Sequence, residues 1–270
     1  MKLNLSNLIF ILITLISHSF ASAFDKSQVI SFGVVPQYSH MTLEKKWLPF
    51  IAELEKETGH RFKLLHSTSI PEFEDEVGIG RFDLAYMSPY HLIVGNAKQG
   101  YLPLVRDKAK KLKGIVVVRN DSNITNIKQL KNSLIAFPSK KALAASMFVR
   151  ADLSKLKIPF KARYVKSHSS VYLNVLLKKT MAGGGAQRTF DSQPKEIKNE
   201  LKVIHSTKSI FAHPIVAHPR INKKVIEKIK QTILKMNNYP AGKKILQNIS
   251  SGSIGNAHIN DYKDIKKLYD

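Results

Sequence analysis

The sequence predicts an α/β protein of two lobes, and three observations support this fold class. From residue 29 onward, short apolar runs alternate with amphipathic stretches, which is the pattern of strands covered by helices. A turn-rich stretch at residues 120–123 separates an earlier set of βαβ units from a later one. The chain then returns near residues 206–216 and finishes with two amphipathic helices. We therefore expect lobe 1 to comprise residues 24–113 and 214–270, and lobe 2 to comprise residues 114–213.

Lobe 1 begins with an apolar run at residues 29–35, which predicts a strand. The next stretch has apolar residues at helical spacing, namely Leu43, Trp47, Ile51 and Leu54. Gly59 should end this helix, because glycine readily adopts the left-handed conformation of a C-terminal cap. The first set is completed by a strand at 62–65, an acidic helix at 72–77 and a buried strand at 83–87.

Lobe 2 repeats the βαβ arrangement from the β-branched run at residues 114–119, near which we place the first crossing between the lobes. Its other predicted elements are strands at 134–137, 162–165 and 181–186 and helices at about 140–153 and 171–179. The two closing helices of lobe 1 are predicted at 223–236 and 241–249. Ligands of such units bind where loops leave the carboxyl ends of the strands.

The N-terminal segment has the features of a secretory signal peptide. Lys2 precedes an apolar run at residues 8–16, and small residues at Ala21 and Ala23 provide a cleavage site. We expect residues 1–23 to be removed after Ala23 and the protein to be periplasmic. The alternative is a signal anchor that stays in the membrane, but the apolar run is short for a span of about 20 residues.

The composition is strongly basic and contains no cysteine. Lys and Arg number 43 against 20 Asp and Glu; loss of Lys2 would leave 42 against 20, or +22. Such a charge attracts anions, and export argues against nucleic acid, so a small anionic ligand, an acidic partner or a polyanionic envelope surface remains open. Absence of cysteine excludes disulfides, thiolate metal sites and a lipidated N-terminal cysteine. The chain is expected to be a monomer.

Motifs of the common enzyme classes are missing. The sequence has no Walker A loop, no Gly-x-Ser-x-Gly, no His-Glu-x-x-His and no EF-hand loop. Its ten histidines show no pair at metal-ligand spacing on an evident helix face. We therefore expect no catalysis, no metal and no cofactor.

The most informative segment is the junction at residues 136–142, where a strand ends and an alanine-rich helix follows. Ser139 suits the N-cap position, and the free N–H groups of a first helical turn favour an anion. A phosphoryl group could be held by Ser139 and the next amides, with help from Lys140 or Lys141. The alternative is an ordinary capped helix with two solvated lysines.

Two further segments of lobe 2 offer anion ligands. At residues 166–170 a strand again ends before a helix, so His168 and Ser169 could donate to a phosphoryl oxygen. The three glycines at 183–185 permit close approach of a ligand to the backbone, and Arg188 after them could bind an anion bidentately. The alternatives are an exposed loop histidine and a structural glycine turn.

Hydroxyl side chains lie at the exits of the predicted lobe 1 strands. Tyrosine hydroxyls donate to oxyanions while their rings exclude water. The alternative for Tyr86 is a place in the core of its strand, whereas the position of Tyr90 after Pro89 favours ligand binding. The candidates in lobe 1 are Tyr38, Ser39, Tyr86, Ser88 and Tyr90.

Five short segments, read together, carry a family resemblance. They are GVVPQ at 33–37, GRFDLAYMSPYH at 80–91, AFPS at 136–139, SHSSVY at 167–172 and AGGGAQRT at 182–189. In this order and spacing they resemble the phosphate, phosphite and phosphonate substrate-binding proteins of ABC transporters, over essentially the whole chain after residue 23. The resemblance implies a type II periplasmic binding protein, with the ligand in a cleft between two α/β lobes and an ABC transporter permease in the inner membrane as partner.

The same resemblance implies ligand roles and also shows two departures. Ser139 to Lys141 correspond to the family's phosphoryl-binding helix start, and His168, Tyr90 and Tyr38 to its histidine and cleft tyrosines. Lys140 and Lys141 stand where members commonly have small hydroxyl residues. The acidic residue that some members use for a ligand amine is replaced within residues 182–185. A compact oxyanion is therefore favoured over an aminoalkylphosphonate.

The sequence is also compatible with three other functions. A sensory receptor of the same fold would dock on a membrane kinase and have an identical ligand site. A basic envelope-interaction protein would use its surface charge and no cleft. An enzyme acting on a phosphorylated metabolite would show turnover with a phosphoester.

Overall fold

Two β-sheets, of six and five strands, form the centres of two lobes in the computed structural model, which describes residues 29–266. The predicted signal peptide, residues 1–23, lies outside the described residues. The two chain segments that connect the lobes pair with each other as a third sheet, of two strands. Within the described residues no helix combines the length and apolarity that a membrane span requires.

The elements follow the chain in three groups. The first contains β1 (Ile30–Val34), α1 (His40–Thr58), β2 (Phe62–Leu65), α2 (Ile70–Gly78), β3 (Leu84–Tyr86), α3 (Pro89–Gln99), β4 (Leu102–Asp107) and β5 (Lys111–Leu112). The second contains β6 (Gly114–Arg119), β7 (Leu134–Phe137), a π-helix (Leu143–Phe148) continued by α4 (Val149–Lys155), β8 (Lys161–Tyr164), α5 (His168–Leu176), β9 (Ala182–Ala186), α6 (Gln187–Asp191), α7 (Lys195–Asn199) and β10 (Leu201–Ser206). The third contains β11 (Ile210–Phe211), β12 (Pro214–Ala217), α8 (Lys223–Lys235), α9 (Pro240–Ile249), β13 (Ile254–Asn256) and α10 (Lys263–Lys266).

The strand order explains how the chain builds each lobe. The six-stranded sheet has the order β13-β4-β12-β3-β1-β2, so the late strands β12 and β13 complete a sheet begun at the N-terminal side. The five-stranded sheet has the order β10-β6-β9-β7-β8. In it β7 is parallel to β8 and β9, whereas β6 is antiparallel to β9 and β10. The lobe boundaries at residues 113 and 213 stay a prediction.

A short antiparallel ribbon connects the lobes. β5 pairs with β11 through Ile210 with Leu112 and Phe211 with Lys111. β5 leads from β4 of lobe 1 to β6 of lobe 2, and β11 leads back from β10 to β12. We call this pair of crossings the hinge ribbon.

The predicted helical face of lobe 1 is buried. Leu43, Trp47, Ile51 and Leu54 of α1 all pack in the core of that lobe. Ser39 caps this helix by accepting from the N–H of Thr42 at 3.4 Å, and Gly59 ends it with φ 71°. The role of Ser39 in the fold is therefore helix capping, and its side chain is exposed.

The helix expected from residue 140 begins later than predicted. Residues 140 and 141 form a turn, closed by the N–H of Ala142 donating to the carbonyl of Ser139 at 3.4 Å. The N-cap of the helix is Ala142, which has no side-chain cap hydrogen bond. The prediction that Ser139 is the N-cap is wrong, because a turn between strand and helix takes the place of direct capping.

The three glycines at 183–185 form the middle of β9, a central strand of the lobe 2 sheet, rather than a turn or a ligand loop. A Cβ on Gly184 would lie 2.3 Å from the carbonyl oxygen of Ala145 and 2.5 Å from the ring of Phe137. A Cβ on Gly183 would lie 2.5 Å from Val171. The glycines are required by the close packing of helices on both faces of this strand.

Candidate functional site

A cavity lies between the two lobes, with about 330 Å³ of unfilled space that is in part open to solvent. Lobe 1, the hinge ribbon and His213 beside the ribbon supply seven of its lining residues, and the rest of lobe 2 supplies the other seven. The first group is Val35, Gln37, Ile70, Ser88, His91, Leu112 and His213. The second group is Lys141, Ala142, Leu143, Ala144, Ala145, His168 and Ala186.

Free backbone amides line the lobe 2 side of this cavity. The N–H groups of Ser146 and Met147 are the first in the π-helix to reach a carbonyl, that of Ala142. In the described part of the chain, the N–H groups of Leu143, Ala144 and Ala145 donate to no acceptor. Unpaired amides at the N-terminal end of a helix are the backbone's usual means of binding an anion.

His91 faces these amides from lobe 1. Its side chain is 1% exposed, and neither ring nitrogen has a hydrogen-bond partner within the described residues. Ser88, the N-cap of α3, accepts from the N–H of His91 at 3.2 Å and so fixes the position of the residue. Burial, with a smaller effect of Lys141, lowers the pKa of His91 to about 3. A neutral imidazole that is buried without a partner is costly, so a ligand that accepts its N–H would be stabilised.

Two more histidines complete the polar lining. The Nδ1 atom of His168, at the start of α5, lies 3.3 Å from the hydroxyl of Thr189, and burial lowers the pKa of His168 to about 4. His213 adjoins the hinge ribbon and lies 3.2 Å from the amide of Gln37. Burial, followed by the nearby charge of Arg188, lowers the pKa of His213. All three cavity histidines are therefore neutral near pH 7.

Of the described residues that line the cavity, none carries a carboxylate. Lys141 is the one charged residue in this described part of the lining, and its ammonium group lies 2.6 Å from Glu74 of α2, across the cleft. Within the described residues, no group of histidines and acids is arranged to hold a metal ion. Amide and imidazole N–H groups without acids suit an anion and disfavour a cation.

Three of the predicted ligand residues line the cavity: Ser88, Lys141 and His168. Ser139 is 5% exposed and its hydroxyl has no partner among the described residues, but it is not part of the lining. Lys140 is exposed, and Ser169 is half-buried in the first turn of α5. The ligand roles of these residues stay predictions.

The predicted ligand tyrosines and Arg188 instead join one lobe to the other or support the cleft. The hydroxyl of Tyr86 accepts from Arg188 at 2.8 Å, and Arg188 also donates to the carbonyl of Ile249. Tyr38 donates to Ser192 of lobe 2 at 3.3 Å. Tyr90 lies 3.2 Å from Glu74, the residue that pairs with Lys141. The contacts of Arg188 and Tyr38 join the two lobes, and that of Tyr90 supports Glu74 within lobe 1.

Among the lining residues with polar side chains, sequence reasoning missed three: Gln37, His91 and His213. Gln37 and His91 lie within the segments that carry the family resemblance, and His91 stands three residues after the helix cap Ser88, a spacing that could have indicated it. His213 carries no local signal. It reaches the cavity because β12 pairs with β3 and β4 across more than a hundred residues of sequence.

The buried histidines make the stability of the fold sensitive to acid. In the folded protein the pKa values of His91 and His168 are about 3 and about 4. Below a pH of about 6.5 these two histidines therefore become protonated in the unfolded chain but stay neutral in the folded protein. The free energy of unfolding should therefore fall between pH 6.5 and about 4, by up to about 1.4 kcal/mol per pH unit for each histidine. Urea unfolding of the wild type and of His91→Gln at several pH values measures this. The variant should have the shallower dependence, and equal slopes would contradict the assignment.

The fold and the cleft define a type II periplasmic binding protein. The model of the family described as "ABC transporter, phosphonate, periplasmic substrate-binding protein" matches residues 32–262. The chain belongs to this family. The fold class and the family resemblance predicted from the sequence are confirmed, as is the expectation of a binding protein rather than an enzyme.

Individual relatives are distant in sequence and close in fold. The phosphonates-binding periplasmic protein of Escherichia coli K12 is 22% identical over 256 residues, which cover 89% of this chain and 75% of the relative. A Prochlorococcus marinus protein whose structure was solved with methylphosphonate has a TM-score of 0.82 at 18% sequence identity. The match covers 89% of this chain and 96% of the Prochlorococcus chain. The binding component of a Pseudomonas aeruginosa ABC phosphonate transporter has a TM-score of 0.79 at 16% identity, covering 89% and 85%.

Proposed function

We propose that this protein captures a small phosphorus oxyanion, namely phosphonate, phosphite or phosphate, in the interlobe cavity and delivers it to an ABC transporter permease. The observation that carries the proposal is the pairing of free amides at residues 143–145 with the unpartnered ring of His91 across one cavity. Donors from both lobes would then complete the shell of a single tetrahedral ion. The absence of any lining carboxylate supports an anion as the ligand.

The cavity walls favour an oxyanion with a small or apolar substituent. Val35, Ile70 and Leu112 contribute apolar surface, which suits a hydrogen or methyl group on phosphorus. An ammonium group would find no carboxylate in this lining, so aminoethylphosphonate should bind less tightly than methylphosphonate. The Prochlorococcus relative solved with methylphosphonate supports this ligand class.

A thermal-shift panel tests the ligand class directly. A ligand at about 100 times its Kd should stabilise the folded protein by about 2.7 kcal/mol, because it binds the native state alone. For a protein of this size that corresponds to roughly 5–10 °C in Tm. We expect shifts with methylphosphonate, phosphite or phosphate, and smaller ones with aminoethylphosphonate and sulfate. No shift with any phosphorus oxyanion would overturn the proposal.

Two matched variants locate the site within the same panel. His91→Phe keeps a ring of similar size but removes both nitrogens, and it should reduce the ligand-induced shift strongly. Ser139→Ala removes a hydroxyl that is buried near the start of the helix but outside the lining. A large loss in this second variant would show that the hydroxyl reaches the ligand after all, as the resemblance implies.

Delivery to a permease, which would place the mature protein in the periplasm, is a separate element of the proposal and needs a cellular test. Deletion of the gene should impair growth on the identified oxyanion as sole phosphorus source, and wild-type protein should restore it. Normal growth of the deletion strain would favour a sensory role for the same site.

A further inference from the structure

A second, larger pocket adjoins the interlobe cavity on the side of the hinge ribbon, with about 1140 Å³ of unfilled space that is in part open to solvent. The two spaces share four lining residues, Gln37, Leu112, Ala186 and His213. The interlobe cavity and this hinge-side pocket are therefore neighbours, separated by no more than the side chains of these four residues.

Four cationic side chains line the hinge-side pocket: Lys110, Lys111, Lys113 and Arg188. Among the described residues, none of the four forms an ion pair with a carboxylate. Lys111 lies over the ring of Phe211, 5.9 Å from its centroid.

Arg188 is the strongest evidence for an anionic occupant. It is half-buried, it donates one N–H to the hydroxyl of Tyr86 at 2.8 Å and another to the carbonyl of Ile249, and neither acceptor carries a formal charge. A guanidinium has five N–H donors, so three remain. Against the opposing effect of burial, the charge of Asp107 is near enough to help raise the pKa of Arg188, but among the described residues no carboxylate forms an ion pair with it. Such a guanidinium is a favourable place for a ligand carboxylate, which it can bind through two parallel hydrogen bonds.

The two acids of this pocket do not neutralise the four cations. Asp107 is buried, and its carboxylate accepts from the N–H groups of Ala109 and Lys110, at 3.0 and 2.9 Å, and from Ser251. Asp191 accepts from Gln187 at 2.7 Å and is exposed. Asp107 is thus occupied in holding the turn before the hinge ribbon, and an excess of positive charge faces the pocket.

We propose that the hinge-side pocket is a second anion subsite, which extends the ligand range of the protein from small oxyanions to two-ended anions, phosphonates that carry a carboxylate at the other end. The inference rests on the proposed function, because the phosphonate end occupies the interlobe cavity. The carboxylate end lies against Arg188 and the lysines that flank β5. Such a ligand contacts both lobes and the segment between them.

Matched ligand pairs test the subsite. Phosphonoacetate, 3-phosphonopropionate and 4-phosphonobutyrate are compared by calorimetry with the alkylphosphonates of the same chain length, which lack the carboxylate. At least one carboxylate should bind about 10-fold more tightly than its partner, and the advantage should shrink at high salt, because the lysines are partly exposed. If every alkylphosphonate equals its carboxylated partner, the subsite is overturned although the proposed function stands.

Variants assign the effect to the pocket. Lys110→Gln with Lys113→Gln should remove most of the carboxylate advantage and change the affinity for propylphosphonate by less than about twofold. Lys178→Gln with Lys179→Gln makes the same change of charge outside both spaces and should have no effect. An equal loss in both double variants would mean that general surface charge is responsible and would also overturn the subsite. If no phosphonate binds the wild type, the proposed function itself fails.

Discussion

Replacing His91 with glutamate should abolish binding of phosphorus oxyanions, weakening affinity by about 100-fold or more. The new carboxylate would lie in the cavity opposite the free amides of residues 143–145. There it would repel the oxyanion ligand and would itself accept the amide hydrogen bonds that the ligand needs. Two like charges brought together in a buried site cost several kcal/mol. Burial, the larger cause of the lowered pKa of His91, would raise the pKa of this glutamate, whereas the charge of Lys141 and the free amides favour its ionised form.

Glutamine at position 91 is the matched control for this experiment. It has the size of glutamate and an amide that can donate a hydrogen bond, so His91→Gln should retain affinity within about 10-fold. Calorimetry with methylphosphonate measures both variants, and circular dichroism establishes that each is folded. Equal affinities of the two variants would show that position 91 does not contact the ligand.

Gly184→Ala should lower the free energy of unfolding by about 3 kcal/mol. The added methyl group would lie 2.3 Å from the carbonyl oxygen of Ala145 and 2.5 Å from Phe137, in a central strand where neither neighbour is the flexible end of a side chain. Overpacking of a core typically costs 1–3 kcal/mol. Since Ala145 supplies one of the free amides, the displaced backbone should also weaken ligand binding.

Gly78→Ala provides the comparison for this substitution. There the methyl group would approach nothing closer than 3.4 Å, the ammonium group of Lys98, at the end of α2. Stability should stay unchanged or rise by up to about 1 kcal/mol. Urea unfolding of both variants separates the specific clash in β9 from the general effect of replacing glycine, and similar losses in the two would refute the packing argument.

Much of the fold could be predicted from sequence because its signals are local. The strands predicted at 29–35, 114–119 and 134–137 correspond to β1, β6 and β7, and both closing helices form where expected. The strand β10 (Leu201–Ser206) was missed, since it depends on antiparallel pairing with β6. The helix after β7 begins later than predicted because a turn precedes it.

The candidate site was harder to predict, because its members are defined by which lobe they face. His168 and Lys141 follow strand ends and were found by that rule. Tyr86 and Tyr90 satisfy the same rule, yet their hydroxyls lie against Arg188 and Glu74. The amides of Leu143 to Ala145 have no side-chain signature at all. A sequence of apolar residues gives no indication that its backbone is the polar surface of a cavity.

The hinge ribbon restricts how the lobes can separate. The chain crosses between the lobes twice, and the two crossings pair side by side through two residues each. Rotation about an axis through this ribbon is therefore the easiest relative motion of the lobes. Such a rotation must break the ion pair of Lys141 with Glu74, whereas Leu112 and His213, on or beside the axis, are displaced least. An arriving anion would thus meet the groups near the axis first, and the helix amides of the moving lobe would reach it last, so capture would proceed from the back of the groove outward.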